Sequence, residues 1–326
     1  MTAQTFRHPR EGGDPGQATG IAGATGTLAL GSRLRGNDGE ERSPRGPIAR
    51  PARKPSRRVL PGLPGTLGFT LFYLSVIVLL PLAALVLRAA DVGVAGFIAQ
   101  IASPRVQAAF RASFGIAFLA ALVDTGLGLL VAWVLVRYRF WGRRLLDALV
   151  DLPIALPTAV AGIALTELYA ETGWFGAPLA ALGIHVAFTP LGIGVALAFV
   201  GLPFVVRAVE PVLADLERDV EEAAATLGAT SWQIFRRVIL PPLWPALLTG
   251  FTLAFGRGIG EYGSVIFIAG NMPGLSEIVP LLIVVKLEQF DILGASVLGA
   301  LMLLASFAIM LTINGLQTWS QRRLGL

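Results

Sequence analysis

Three ionisable residues interrupt apolar stretches of this chain: Asp124, Arg257 and Glu261. A charge in such a setting is costly unless it meets an opposite charge or a water-filled cavity. Arg257 and Glu261 are four residues apart, so a helix places them on one face where they can pair. Two readings follow from the spacing. The pair either locks helix packing from within, or stands beside a path or gate for ions. Asp124 either faces a polar cavity or pairs with an arginine, and its spacing does not choose between them.

Other chemistry finds few carriers. There is no Cys, and the two His are His8 and His185, so no thiol nucleophile, zinc site or histidine cluster is expected. The two lysines, Lys54 and Lys286, do not fit GxxxxGK[ST], so no nucleotide-hydrolysing loop is expected. Gly258–Gly263 matches GxGxxG but lacks the strand that should precede it. Gly256 and Gly260 read better as a close helix contact or a flexible point near a gate. No catalytic and no metal site is expected, nor any cofactor in this chain.

The elements that must carry these residues are membrane spans. Of 326 residues 54% are hydrophobic and 14% charged, with a mean hydropathy of +0.69. Soluble domains carry about 25% charge, which disfavours a soluble enzyme. A helix needs about 20 apolar residues to cross the hydrocarbon core. Six stretches qualify: 67–87, 112–136, 152–170, 188–206, 243–269 and 292–316. The second contains Asp124 and the fifth contains Arg257 and Glu261. The third is the shortest between charges. Arginines gather in the second loop (Arg137, Arg139, Arg143, Arg144), the fourth (Arg207, Arg218, Arg236, Arg237) and the C-terminus (Arg322, Arg323). The other loops hold Arg88, Arg105, Arg111 and Lys286. Basic residues accumulate on the cytoplasmic side, which places both termini there.

The net charge of +5 sits elsewhere. Residues 1–58 hold 11 Lys+Arg and 5 Asp+Glu, with ten Gly and six Pro, whereas residues 59–326 hold 15 and 16. The segment 1–58 reads as a disordered basic leader. Two of its stretches, Arg7–Gly16 and Ser32–Gly39, resemble translated copies of a bacterial intergenic repeat. It is therefore expected to be either a misannotated start or a flexible cytoplasmic tail. With the charge confined there, no nucleic-acid partner is expected.

The fourth loop, 207–242, is long and patterned. Val209, Val212, Leu213, Leu216, Val220, Ala223, Ala224 and Leu227 recur at helical spacing, opposite Asp215, Glu217, Arg218, Asp219, Glu221 and Glu222. Gly228 ends this helix, a short apolar face follows at Trp232, Phe235 and Ile239, and Pro241 and Pro242 bar its continuation into the fifth span. An acidic outer face suits a protein partner better than anionic lipid.

Within this loop Glu222-Ala223-Ala224, three residues, Gly228, nine residues, then Val238-Ile239-Leu240-Pro241 resembles the EAA signature of ABC-importer permeases. Val238 stands where the family usually has Ile. The stretches Arg57–Gly62, Asp151–Leu165, Gly256–Asn271 and Pro280–Asp291 resemble the sulfate/thiosulfate, CysT-type branch. A molybdate-type branch has a similar GEYG segment. The resemblance implies an all-α membrane protein of six transmembrane helices with the type I ABC importer permease (MetI-like) fold, in the bacterial inner membrane. It implies that Glu221, Glu222, Ala223, Ala224 and Gly228 couple to a separate ATPase. It implies a CysW-like second permease, two CysA-like ATPase copies that use ATP and Mg, and a periplasmic sulfate- or thiosulfate-binding protein. A rival reading is an ion-gradient-driven carrier that uses Asp124, Arg257 and Glu261 as a relay.

Overall fold

The computed structural model describes residues 63–324, and the expected leader 1–58 lies outside them. Every regular element among the described residues is helical. Five helical segments are long and apolar enough to span a membrane, and a bent pair makes a sixth.

The first span joins α1 (Leu63–Leu74), a π-helical turn at Ser75–Leu79 and α2 (Leu80–Ala90). The expected first loop contains a short apolar helix, α3 (Gly93–Ala102). Next, α4 (Pro104–Arg137) is 34 residues, or about 51 Å of helix. It begins earlier than the apolar run, so Arg105 and Arg111 are helical rather than in a loop.

The third span is broken. Helices α5 (Arg143–Ala155) and α6 (Thr158–Tyr169) meet at 113°. Leu156 adopts an extended conformation before Pro157, the conformation that a following proline favours. Alone, α6 is about 18 Å long and could not cross about 30 Å of hydrocarbon. The span expected over 152–170 is therefore a bent pair that starts earlier, at Arg143.

A short α7 (Gly176–Ala181) leads to α8 (Pro190–Asp215), the fourth span. It is followed by α9 (Arg218–Thr226), α10 (Ser231–Ile234), a π-helical turn at Phe235–Ile239 and α11 (Leu240–Ile259). Three elements complete the fold: α12 (Val265–Ile268), α13 (Val279–Glu288) and α14 (Ile292–Leu324).

The core lies where α4, α8 and α11 meet. Buried residues on α4 are mostly small, among them Ala117, Ala120, Ala121, Gly128 and Ala132. Small residues let membrane helices approach closely, which supplies the van der Waals contact that a lipid solvent does not. Val205 of α8 sits between Gly128 of α4 and Gly250 of α11. An added methyl on these glycines would lie 2.6 and 2.8 Å from Val205.

The fifth span ends sooner than expected. Helix α11 stops at Ile259, so Gly260 and Glu261 lie in the turn beyond it. The Gly256–Gly260 pair is not a joint packing motif. Gly256 faces Met310 of α14, while Gly260 has open space around it.

Candidate functional site: the Glu222–Gly228 segment and the charged end of the fifth span

The fourth loop is built differently from its apolar periodicity. Helix α8 runs through Arg207 to Asp215. The chain turns extended at Leu216 and Glu217, and α9 starts afresh at Arg218. The single amphipathic helix expected over Val209–Leu227 is thus two. Val209 and Leu213 are core residues of α8 at 0% exposure. Val220 of α9 and Leu227 just beyond it are 52% and 89% exposed, and no residue of α9 is buried.

Gly228 closes α9. Its φ is +83°, the left-handed region that glycine enters without a Cβ penalty. Its N–H donates to the Ala225 carbonyl at 3.0 Å, and the Ala229 N–H donates to the Ala224 carbonyl at 3.1 Å. These two bonds are a Schellman motif. They account for the three residues between Glu222-Ala223-Ala224 and Gly228, since that interval is the last helical turn.

Thr230 then starts α10 with a reciprocal cap. Its Oγ1 accepts from the Gln233 N–H at 3.4 Å, and its own N–H donates to Gln233 Oε1 at 2.8 Å. The π-helical turn at Phe235–Ile239 passes directly into α11, giving one helical run over Ser231–Ile259. Pro241 and Pro242 therefore do not stop the helix. The widened turn ahead of them takes up the hydrogen-bond shift that residues without an N–H impose.

One anchor ties the segment to the bundle. Arg137, at the end of α4, pairs with Glu221 and lies over the Trp133 ring at 5.6 Å. Trp133 meets Phe235 edge-on at 5.9 Å, and Phe235 stacks with Trp232 at 5.6 Å. Glu221 is thus turned inward rather than displayed outward. Glu222, Ala223 and Leu227 remain exposed.

At the other end of α11, Arg257 Nη1 lies 2.5 Å from Glu261 Oε2. Glu261 is 2% exposed, and its Oε1 accepts from the Ser264 N–H and Oγ–H, both at 3.0 Å. The carboxylate is therefore fully satisfied. Arg257 keeps 37% of its side chain exposed. Asp124 stands apart, 1% exposed, with neither oxygen hydrogen-bonded to any described residue. Its Oδ2 abuts Gly201 of α8. The sequence pairing of Arg257 with Glu261 holds, while Asp124 contacts neither.

Three ionic ties escaped the sequence. Arg207 reaches Asp147 at 2.7 Å, Asp151 at 2.6 Å and Glu210 at 2.6 Å, joining α5 to α8. Arg105 donates twice to the buried Glu277, at 2.6 and 2.8 Å. Lys286 pairs with Asp291 at 2.7 Å. His185 Nδ1 lies 3.0 Å from Glu171 Oε1, with both side chains exposed.

Residues 124–326 match the family described as the binding-protein-dependent transport system inner membrane component. The chain belongs to that family. It is 50% identical over 268 residues to the sulfate transport system permease protein CysT of Escherichia coli, covering 82% of this chain and 97% of that protein. It is 48% identical over 258 residues to a probable sulfate transport system permease protein of Nephroselmis olivacea, covering 79% and 91%. Against CysT of Synechocystis it is 49% identical over 253 residues, covering 78% and 88%. A bacterial ABC transporter involved in alginate import shares the fold, with a TM-score of 0.65 at 17% identity, over 78% of this chain and 94% of that one. The chain is an integral membrane protein with an ABC-importer permease fold.

Proposed function

We propose that this chain is the permease subunit of an ATP-driven importer of sulfate, and with it thiosulfate. The observation that carries the reading is the Glu222–Gly228 segment, a capped helix with no buried residue that hangs between two long spans. The names of the relatives support the substrate. ATP and Mg belong to a separate CysA-like ATPase dimer, and a CysW-like second permease completes the path. A periplasmic binding protein delivers the anion. The chain lies in the bacterial inner membrane with both termini cytoplasmic, in line with the arginine distribution. Residues 59–326 form the permease domain and residues 1–58 a separate leader.

Glu222, Ala223 and Ala224 contact the ATPase, with small side chains allowing close approach. Glu221 acts within the chain, holding α9 to Arg137. Closure of the ATPase moves α9, and the bundle exchanges inward- and outward-facing states. Such an exchange requires contacts that differ between the states. Arg257 and Glu261 stand at the path or its gate. Glu261 holds the arginine while the exposed remainder of the guanidinium meets the anion. Asp124 remains a path candidate by its burial, though it lacks a partner to relay to.

The test is purification with partners, followed by ATPase assays with loaded binding protein. Stimulation by the sulfate-loaded protein and not by the molybdate-loaded one is expected. A chain that brings down no ATPase would refute the coupling role, and stimulation by molybdate alone would refute the substrate. Sulfate uptake should also fall in Arg257→Ala and Glu261→Gln in membranes that contain normal amounts of assembled complex.

A further inference from the structure

Arg111 is an arginine at the edge of the membrane that pairs with no carboxylate among the described residues. It immediately precedes the uncharged run 112–123 and is exposed. No carboxylate pairs with it among the described residues, whereas Arg105, on the same helix, is fully engaged by Glu277. Arg111 and Arg137 are 26 residues apart on α4, about 39 Å along the axis. The hydrocarbon core is about 30 Å thick, so both arginines stand at headgroup depth.

Beside Arg111 lies a crevice of about 390 Å³ between α3, α4 and α14. Its walls are Ile101, Val106, Phe110, Leu301 and Ala305, with Arg111 at the rim. The one other polar lining residue, Gln107, donates its amide to the Ile101 carbonyl at 3.2 Å. Val106 also belongs to a buried cluster with Ala109, Val279, Leu282 and Leu298, so one wall is fixed by the core. An apolar trough with a single unpaired cation beside it matches an acyl chain beneath an anionic headgroup. Arginine suits that headgroup because its planar fork pairs with phosphate oxygens.

We propose that this crevice binds an anionic phospholipid, with an acyl chain between α3, α4 and α14 and the headgroup on Arg111. The proposal rests on the membrane location of α4 and not on the transported substrate.

The test uses the assembled importer in nanodiscs. The chain has no native cysteine, so Ala308→Cys, one turn from Ala305 on α14, places a single fluorophore on this subunit. Quenching by dibrominated phosphatidylglycerol is compared with quenching by dibrominated phosphatidylcholine at equal mole fraction. One exposed ion pair predicts a preference of about 1.5- to fivefold for the anionic lipid. Arg111→Gln should reduce it to parity and Arg111→Lys should keep it. Arg88→Gln should also keep it, because Arg88 is exposed but lies outside the crevice. Equal quenching in the wild type, a preference that survives Arg111→Gln, or equal loss in Arg88→Gln would overturn the proposal. So would disulfide capture of Leu301→Cys by the second permease, which would make the crevice a subunit contact.

Discussion

At the scale of single residues, adjacent Glu221 and Glu222 have opposite environments. Glu221 pairs with Arg137, whereas Glu222 is exposed. Glu221→Ala should lower the thermal stability of the solubilised complex, and Glu222→Ala should leave it unchanged while weakening ATPase association. Pull-down and thermal unfolding of both variants separate the roles; identical profiles would refute the division. Gly228→Asp should abolish uptake without affecting insertion, because it adds a charged side chain at an exposed cap that the ATPase must approach closely. Asp124 offers a third test. A methyl on Gly201 would strike its Oδ2 and lie 3.3 Å from the Ala254 Cβ. Gly201→Ala should cost about 1–3 kcal/mol by overpacking and be better tolerated beside Asp124→Ala. Equal losses in both backgrounds would mean the contact is not the cause. The helix stop at Gly228 was legible in the sequence because it is a local requirement, set by the two hydrogen bonds that close α9. The ties Arg105–Glu277 and Arg207–Asp151 were not, since 172 and 56 residues separate the partners. Local spacing carries no trace of such contacts.

At the scale of elements, periodicity told most where one helix remained one helix. It misled at Leu216–Glu217, where Leu213, Leu216 and Val220 keep helical spacing across a break. Apolar spacing reports faces, and two helices in succession can show the same faces. The bend at Pro157 carried a local sign, but hydropathy over 152–170 masked it. The start of α14 shows local chemistry deciding a boundary. Asp291 Oδ1 accepts the Gly294 N–H at 2.8 Å, and Oδ2 meets Lys286 at 2.7 Å. Hydrogen bonding from Lys286, and then from the Gly294 backbone, holds the Asp291 carboxyl below its ordinary value. The contribution is therefore present above the unfolded value of about 3.9 and is lost as pH falls through the lower folded one. Asp291→Ala should cost about 1 kcal/mol at neutral pH, the usual loss of a helix cap. The gap from wild type should narrow on acidification below pH 4; thermal melts across pH 3–7 would read it, and a constant gap would refute the assignment.

At the scale of the whole molecule, the first span is the outlying element. None of its most apolar window is buried within the chain, and Phe69, Leu71, Phe72 and Leu79 are each more than half exposed. Such a helix is complete only against lipid or another subunit. The charge distribution makes a separate point. Residues 59–326 carry 15 basic and 16 acidic groups, so nothing in their balance requires the basic segment before them. A chain beginning at Val59 should assemble and transport like the full-length one, as measured by sulfate uptake per assembled complex. Loss of uptake on truncation would assign residues 1–58 a role in transport.

The Glu222–Gly228 segment is flanked by two long helices. Helix α8 runs for 26 residues into its near side, and the Ser231–Ile259 helix leaves the far side for 29 residues, about 44 Å. A load applied at α9 thus has little slack to take up before it enters the bundle. The second helix ends in the turn that carries Arg257 and leads into Glu261. Under the proposed coupling, a stroke at α9 would displace Arg257 at the far end of this helix, and the π-helical turn is the one departure from α-helical hydrogen bonding along it.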